Sequence, residues 1–435
     1  MPDNNNNNRA SARSLVQHAR PVRVPEAALR FTHTFGLGGM ALVLFLVLLG
    51  TGLLMIFVYE PTPEGAYKSI LHMQDETLFG RLIRGAHHWG ANLLIAVAAL
   101  HLFRVFLTGA FQGVRRSNWL IGLGMMVLIL VSGFTGYLLP WDQVSYWAIT
   151  VCTEMLAYVP VVGQALQRLV VGGTEVGAAT ILNFYALHTV VVPLVLIVLM
   201  TWHFWRVRLA GGVIVPSDPE NGVARDGYVP YRPNLIEREK AVALIVVAFI
   251  VVIAIVFGAP LDLPANPGAS PNPVKAPWYF VGLQELLLHV HPLFAVLVIP
   301  STLILALIGV AYLPYNGSST GRWFLSAKGR RMSAVAAATA VVFTTAWILV
   351  DEWVVDPGGW LPGSAPVISD GLLPFAVLLA GVIAFYMSLK KYFSATVGET
   401  VQAMFVLFAV SFTVLTVTGV WFRGAGMALM WPWQI

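Results

Sequence analysis

The sequence predicts an all-α integral membrane protein with about nine transmembrane helices, on three observations. Of its 435 residues 57% are hydrophobic and only 11% are charged, more apolar surface than one soluble core needs. A spanning helix takes ~20 apolar residues, and nine windows of about that length contain no Asp, Glu, Lys or Arg. Nine spans put the chain ends on opposite sides, and 20 of the 26 Lys and Arg fall on the side of the N-terminus. By the positive-inside rule that side is cytoplasmic and the C-terminus is outside. Acidic residues lean the other way, with 13 of 21 in the outer connections. A soluble fold, an outer-membrane barrel and a disordered scaffold are excluded. The formal net charge of +5 does not point to nucleic acid, because the cations sit in short loops that orient the chain.

Residues 1–30, with Asn4 to Asn8 and scattered arginines, have no hydrophobic signal region and read as a disordered cytoplasmic tail. Windows 35–59, 86–103, 117–141 and 176–205 form a four-helix bundle within residues 31–210. A hydrophilic cytoplasmic connection, 211–240, carries Pro216, Pro219, Pro230 and Pro233 and is the best internal boundary. Windows 241–261, 286–314 and 332–350 make a second unit, 241–350, while 371–389 and 401–422 add two helices within 351–435. Two long outer connections, 142–175 and 262–285, are expected to lie along the membrane surface. The first shows helical apolar spacing through Val144, Trp147, Ile149 and Val151.

An ionisable side chain inside a span is a functional candidate. The second span carries His87, His88 and His101, and the fourth His188 and His203. The 14 residues from His87 to His101 cover ~21 Å on nearly one face, and the 15 from His188 to His203 cover ~22 Å. Both spans run in the same direction. His101 and His203 each lie three residues before an arginine, Arg104 and Arg206, and His87 and His188 lie 17 and 18 before the same two. Two level pairs result, His101 with His203 near the inside and His87 with His188 near the outside. Paired imidazoles across a helical bundle suit the axial positions of a six-coordinate haem iron, which carries electrons and leaves no open position. Separate interhelical hydrogen bonds, the competing reading, do not account for the matched depths. His88 faces about 100° away from His87 and is not counted as a ligand.

Gly38 and Gly52 in the first span, and Gly122 and Gly136 in the third, are likewise 14 apart. A missing side chain lets a flat macrocycle approach the backbone; close helix packing is the alternative. Arg84 near the outer pair, and Arg104, Arg116, Arg206 and Arg208 near the inner, are candidate partners for haem propionates. With one cysteine, Cys152, the chain has no internal disulfide, iron–sulfur cluster or cysteine zinc site. Cys152 reads as a small buried apolar residue.

At these residues the chain resembles the cytochrome b subunits of quinol-oxidising Rieske/cytochrome b (bc-type) complexes. RGAHHWGANLLIAVAALHLFRVFLTGAF (84–111), GFTGYLLPWDQVSYWA (133–148), FYALHTVVVPLVLIVLMTWHFW (184–205) and KAPWYFVGLQELL (275–287) look like four signature regions in the right order. The similarity runs over residues 31–350. The 15-residue histidine interval resembles the chloroplast and Gram-positive branch, where the protein is often split after the fourth helix. Here the halves are fused and the last two helices are additional. That branch's covalent haem is anchored by a cysteine that matches Gly36, so this haem is expected to be absent.

The resemblance implies two non-covalent b haems and a quinol oxidation site on the outer face. It puts Pro140, Trp141, Asp142 and Gln143 on one wall of that site and Pro277, Trp278 and Tyr279 on the other. The usual motif there is Pro-Glu-Trp-Tyr; the matching tetrad is Ala276-Pro277-Trp278-Tyr279, without the acid. Glu285, about two helical turns beyond Pro277, is expected to take the proton role. For an inner quinone site His33, Arg206, Arg208 and Asp226 are candidates. His289 and His291 are expected to make interfacial hydrogen bonds, and Asp351, Glu352, Asp356 and Asp370 to form a solvated face.

The implied function is that of a quinol:cytochrome c-type oxidoreductase subunit in a bacterial cytoplasmic membrane. One electron would cross from the outer to the inner haem and reach a quinone near the inner face, in a Q cycle that adds to the proton gradient. A Rieske iron–sulfur protein and a c-type cytochrome are implied partners, in a homodimeric complex. Two other readings stay open. A dihaem anchor serving a peripheral dehydrogenase would not need the Asp142 and Tyr279 segments. A cofactor-free transporter would show broken helices or an internal repeat.

Overall fold

The computed structural model describes residues 23–218, 222–223, 227–315, 320–355, 361 and 363–434. Among them nine helices are long and apolar enough to cross a membrane. These are α1 (Leu37–Ile56), α3 (Gly80–Leu107), α4 (Arg116–Leu138), α7 (Ala178–Leu209), α8 (Tyr231–Phe257), α10 (Leu293–Tyr312), α11 (Ala327–Trp353), α12 (Val367–Phe393) and α13 (Val397–Trp421). Shorter helices lie in the connections: α2 (Ala66–Asp75), α5 (Gln143–Glu154), α6 (Gly163–Val171) and α9 (Trp278–His289). The ends of α3 and α7 with Arg104 and Arg206 form a basic end, and the opposite ends, near α2, α5 and α9, an acidic end.

Every predicted span is found, and two differences bear on the site. The second starts at Gly80, so Arg81 and Arg84 sit in its first turns. The sixth window runs two elements together. Helix α9 ends at His289, Val290 is extended (φ −146°, ψ 139°), and a new helix begins after Pro292.

Three spans contain a π-helical stretch: Leu187–Val191 in α7, Leu293–Val298 in α10 and Val367–Leu372 in α12. Two residues beyond each stands a proline, Pro193, Pro300 or Pro374. A proline nitrogen cannot donate to the carbonyl four residues back, and the turn before it relaxes into wider i→i+5 pairing.

Helices α1, α3 and α8 share a buried cluster of Leu44, Ala86, Leu94, Ile250 and Ala254, and Gly85 admits the Ala254 backbone. Helix α4 lies against α7, completing the bundle. The polypeptide before α1 is tied to the 211–240 connection by an antiparallel pair, Arg23–Pro25 with Tyr228–Pro230.

The last helix is central rather than appended. Helix α13 packs on both α9 and α11, its Phe405 stacks on Phe106 of α3 with ring centroids 4.0 Å apart, and Gln402 donates to the Phe106 carbonyl at 2.9 Å. By contrast α12 exposes Val377, Leu379, Ile383 and Met387, as a helix facing lipid would.

Candidate functional site

The four span histidines meet in two pairs at two depths. His87 faces His188 with ring centroids 6.1 Å apart, and His101 faces His203 at 6.4 Å. The π stretch of α7 explains how a 15-residue interval matches one of 14. In a regular helix 14 residues fall about 40° short of four turns and 15 overshoot by about 60°. His188 lies inside Leu187–Val191, where the wider turn absorbs the extra residue.

The spacing fits an iron between each pair. Two metal–nitrogen bonds of ~2 Å, with about 1.1 Å from nitrogen to ring centre on each side, place the centroids about 6.2 Å apart. The tautomers fit too at the acidic end. Thr51 gives its own hydroxyl proton to the Val47 carbonyl, so its oxygen accepts from His87 Nδ1 at 3.0 Å. His188 Nδ1 donates to the Ser132 carbonyl at 2.9 Å. Each ring then turns Nε2 towards its partner, the arrangement of a metal-binding imidazole. Among the described residues no cluster of three or more His, Cys, Asp or Glu could hold a bare metal ion. Two protein ligands per site is the number that a haem iron takes in a six-coordinate cytochrome.

The four glycines stand at these rings, one for each histidine. A Cβ on Gly38 would lie 3.3 Å from His101 Cε1, on Gly52 3.3 Å from His87 Cε1, on Gly122 3.7 Å from His203 Cε1 and on Gly136 2.4 Å from His188 Cε1. The space they clear holds an imidazole edge.

The arginines Arg84, Arg104, Arg116 and Arg206 also make contacts within the protein. Arg84 is buried and donates to the carbonyls of Ala259 (2.9 Å) and Pro260 (2.6 Å) and to Gln74, clamping the turn after α8. Arg104 donates to the His33 carbonyl at 3.1 Å, Arg206 to Ser117 Oγ, and Arg116 lies over the Tyr312 ring at 5.9 Å. His33 itself is buried between Arg104 and the Ile214 carbonyl. Burial lowers its pKa against that hydrogen bond, and the Arg104 and Arg30 charges lower it further. His33 also lines a cavity of about 550 Å³ at the basic end with Arg30, Trp323, Ser326 and Arg330. Asp226 and Asp356 lie outside the described residues.

At the acidic end the two expected walls take shape. Asp142 caps α5, accepting from the Ser145 amide at 2.9 Å, and its other oxygen accepts from the Asp262 amide at 3.2 Å. Its carboxylate thus shapes the wall. Trp141 is buried edge-on against Tyr146, and its carbonyl accepts from Ala265; Gln143 accepts from the Asn266 amide at 2.7 Å. On the other wall Pro277 precedes the first turn of α9 and Trp278 donates to Asn92 Oδ1 at 2.7 Å. The Tyr279 hydroxyl stands 3.0 Å from the Cβ position of Gly133 in α4. Burial, with Tyr137 and Cys152 nearby, pushes the Tyr279 phenol up, so it stays protonated and able to donate. Burial pushes the Cys152 thiol up to about 11, in keeping with an apolar role.

Glu285 does not face these walls. It is fully buried against α13, where Arg423 grips it through Nη2 to Oε1 at 2.7 Å and Nε to Oε2 at 3.0 Å, with His289 Nε2 at 3.2 Å. Burial alone would raise its pKa, but hydrogen bonds from His289 and Arg423 hold the carboxyl below its ordinary range. A carboxylate so held accepts protons poorly, so the expected proton role of Glu285 is corrected. His289 is equally buried, not interfacial. Arg423, the other half of this arrangement, is 138 residues away in sequence and carries no local signal. Thr51, Ser132 and Asn92 were also missed, since lone polar residues in spans are common.

Comparison with known proteins agrees with this geometry. Residues 25–211 match the family model described as cytochrome b/b6/petB. Cytochrome b6 of Synechococcus sp. (strain CC9605) is 45% identical over 175 residues, 40% of this chain and 80% of that protein. The chain belongs to the cytochrome b family. Cytochrome b6 of Prochlorococcus marinus (strain NATL1A) is 43% identical over the same shares. A solved structure described as a hyperthermophilic respiratory Complex III aligns with TM-score 0.68 at 25% identity, covering 93% of this chain and 98% of its own. The family model thus matches the N-terminal part of the chain, whereas the fold match takes in nearly the whole chain. Membership of the cytochrome b family implies b-type haem, a place in quinol oxidoreductase electron transfer and a multi-pass membrane setting.

Proposed function

We propose that this cytochrome b carries two b haems, on His87 with His188 and on His101 with His203, and oxidises quinol at its acidic end. The facing histidine pairs at two depths carry the reading. When bound, haem supplies one-electron redox chemistry at each depth, a route from the outer to the inner side. Quinol gives up two electrons and two protons. One electron leaves to a Rieske iron–sulfur partner and on to a c-type cytochrome, and the other crosses the membrane to a quinone at the basic end. The cavity beside His33 is the candidate inner quinone site.

The residues of this chain act by position. The walls of Trp141 to Gln143 and of Pro277 to Tyr279 enclose the quinol ring, and the Tyr279 hydroxyl is available to hydrogen-bond a ring oxygen. Thr51 and Ser132 fix the imidazole orientations, and the four glycines admit the rings. The domain division, the cytoplasmic N-terminus, the bacterial cytoplasmic membrane and a homodimeric assembly belong to the same proposal. The test uses membranes containing the whole complex and a short-chain quinol. Tyr279→Ala is expected to lower kcat/KM for quinol by roughly 10- to 100-fold with both haems retained. An unchanged kcat/KM would put quinol somewhere else.

A further inference from the structure

The end of the chain reaches into the wall that the proposed quinol site needs. Helix α13 crosses α9 at two glycines: a Cβ on Gly282 would meet Thr416 Oγ1 and Phe412, and one on Gly419 would meet Val281 at 3.1 Å. Just beyond α13, Arg423 is 1% exposed and bonds to three elements. It grips Glu285 of α9 with both sides of its guanidinium, donates to Glu352 of α11 at 2.8 Å, and donates to the Met427 carbonyl at 2.9 Å. His289, one turn beyond Glu285, bridges it to Asp351 of α11, with Nδ1 to Oδ2 at 2.6 Å. Upstream of α9, Lys275 donates to the Val420 carbonyl at 3.0 Å and the Gly426 amide to Asn272. The segment from Asn272 to His289, which includes Pro277, Trp278 and Tyr279, is therefore held from both ends by the C-terminal segment.

We propose that Arg423, through its buried pair with Glu285, is a positioning residue of the quinol site, and that the terminal helix is a working part of that site. The inference rests on the proposed quinol reading. A buried pair stripped of one member leaves an uncompensated charge, whereas removal of both is far milder. Arg423→Gln should therefore free α9 to move and displace Trp278 and Tyr279. A displacement of about 1 Å costs up to ~100-fold in rate even when the change lies away from the chemistry.

The experiment compares wild type, Arg423→Gln, Glu285→Gln with Arg423→Gln, and Gly419→Ala, each as the full complex in membranes. Three readouts are taken: haem content, KM and kcat for quinol, and amide hydrogen exchange over 278–289. Arg423→Gln is expected to raise KM roughly tenfold or more with both haems present and with faster exchange in α9, and the double variant to recover most of both. Gly419→Ala presses on Val281 at 3.1 Å and reaches Glu285 Oε2 at 3.6 Å but removes neither member of the pair, and it is expected to raise KM in the same direction, which keeps the question answerable if Arg423→Gln does not accumulate. A purely structural pair would lower the amount of protein and leave KM and α9 exchange at wild-type values in whichever variants accumulate; that result overturns the proposal. If wild type itself oxidises no quinol while holding both haems, the functional reading falls, and α9 exchange still reports whether Arg423 holds the helix.

Discussion

Gly136 presents the tightest fit in the molecule's redox region. Its Cβ position lies 2.4 Å from His188 Cε1 and 2.8 Å from Nδ1, and that ring is held in turn by Ser132. Gly122 leaves 3.7 Å to His203, an ordinary contact. Gly136→Ala is expected to destabilise by about 1–3 kcal/mol and to lose the haem of the His87 and His188 pair, while Gly122→Ala keeps both. Haem per polypeptide and thermal unfolding of the two variants check this. The glycines were visible in the sequence by their 14-residue interval, but the interval alone does not say what fills the space. Their neighbours, an imidazole edge in each case, depend on how α1 and α4 are turned about their axes. Glu285 was visible as a nearby carboxylate, yet its partner Arg423 lies 138 residues on, and one sequence contains nothing that pairs them.

At the scale of an element, the π stretch in α7 does the work of one inserted residue. A count at about 100° per residue tolerates 15 as near one face, but it does not reveal that a wider turn supplies the match. The signal was present in Pro193, since a proline inside a span leaves a carbonyl four back without its donor. Deletion of Val190 is expected to convert the stretch to regular helix and preserve both haems, because 14 residues then join His188 to His203. Deletion of Ala96 from α3, which has no such stretch, is expected to cost at least one haem. Spectra of the two deletion variants decide it: loss of haem from the first, or retention of two by the second, contradicts the account. The break between α9 and α10 was hidden for a related reason. Its residues, Val290 to Pro292, include only one charge-capable side chain, His291, so hydropathy reads straight through it.

Over the whole molecule, the nine spans follow from composition, because lipid demands uninterrupted apolar helices whatever they pack against. Their packing order does not follow, and the central place of α13 comes only from the fold. Its lock on α9 makes stability depend on pH. Glu285, Asp351 and Arg423 all face His289; burial lowers the pKa of the imidazole, but hydrogen bonds and charge from Asp351 and Glu285 raise it above the ordinary value. The protonated ring therefore stabilises fully below its unfolded pKa, and this contribution is lost as pH rises through the raised folded one. Glu285, held low, contributes above its ordinary carboxylate range and loses that as pH falls through its lowered pKa. The Tm of the complex is expected to be flat between these limits and to fall on both sides, with the alkaline fall absent from His289→Gln; a Tm that falls equally in both proteins would count against the lock.

Two haems are expected to sit between the two histidine pairs at two depths, and haem stoichiometry is the measurement that bears on this. A dithionite-reduced minus oxidised spectrum with a haem count per chain is expected to give two b haems in wild type. Replacement of His87 or His188 should remove one of them, and replacement of His101 or His203 the other. A well-folded wild-type chain with a single haem, or a variant at one depth that loses the haem assigned to the other, would contradict it.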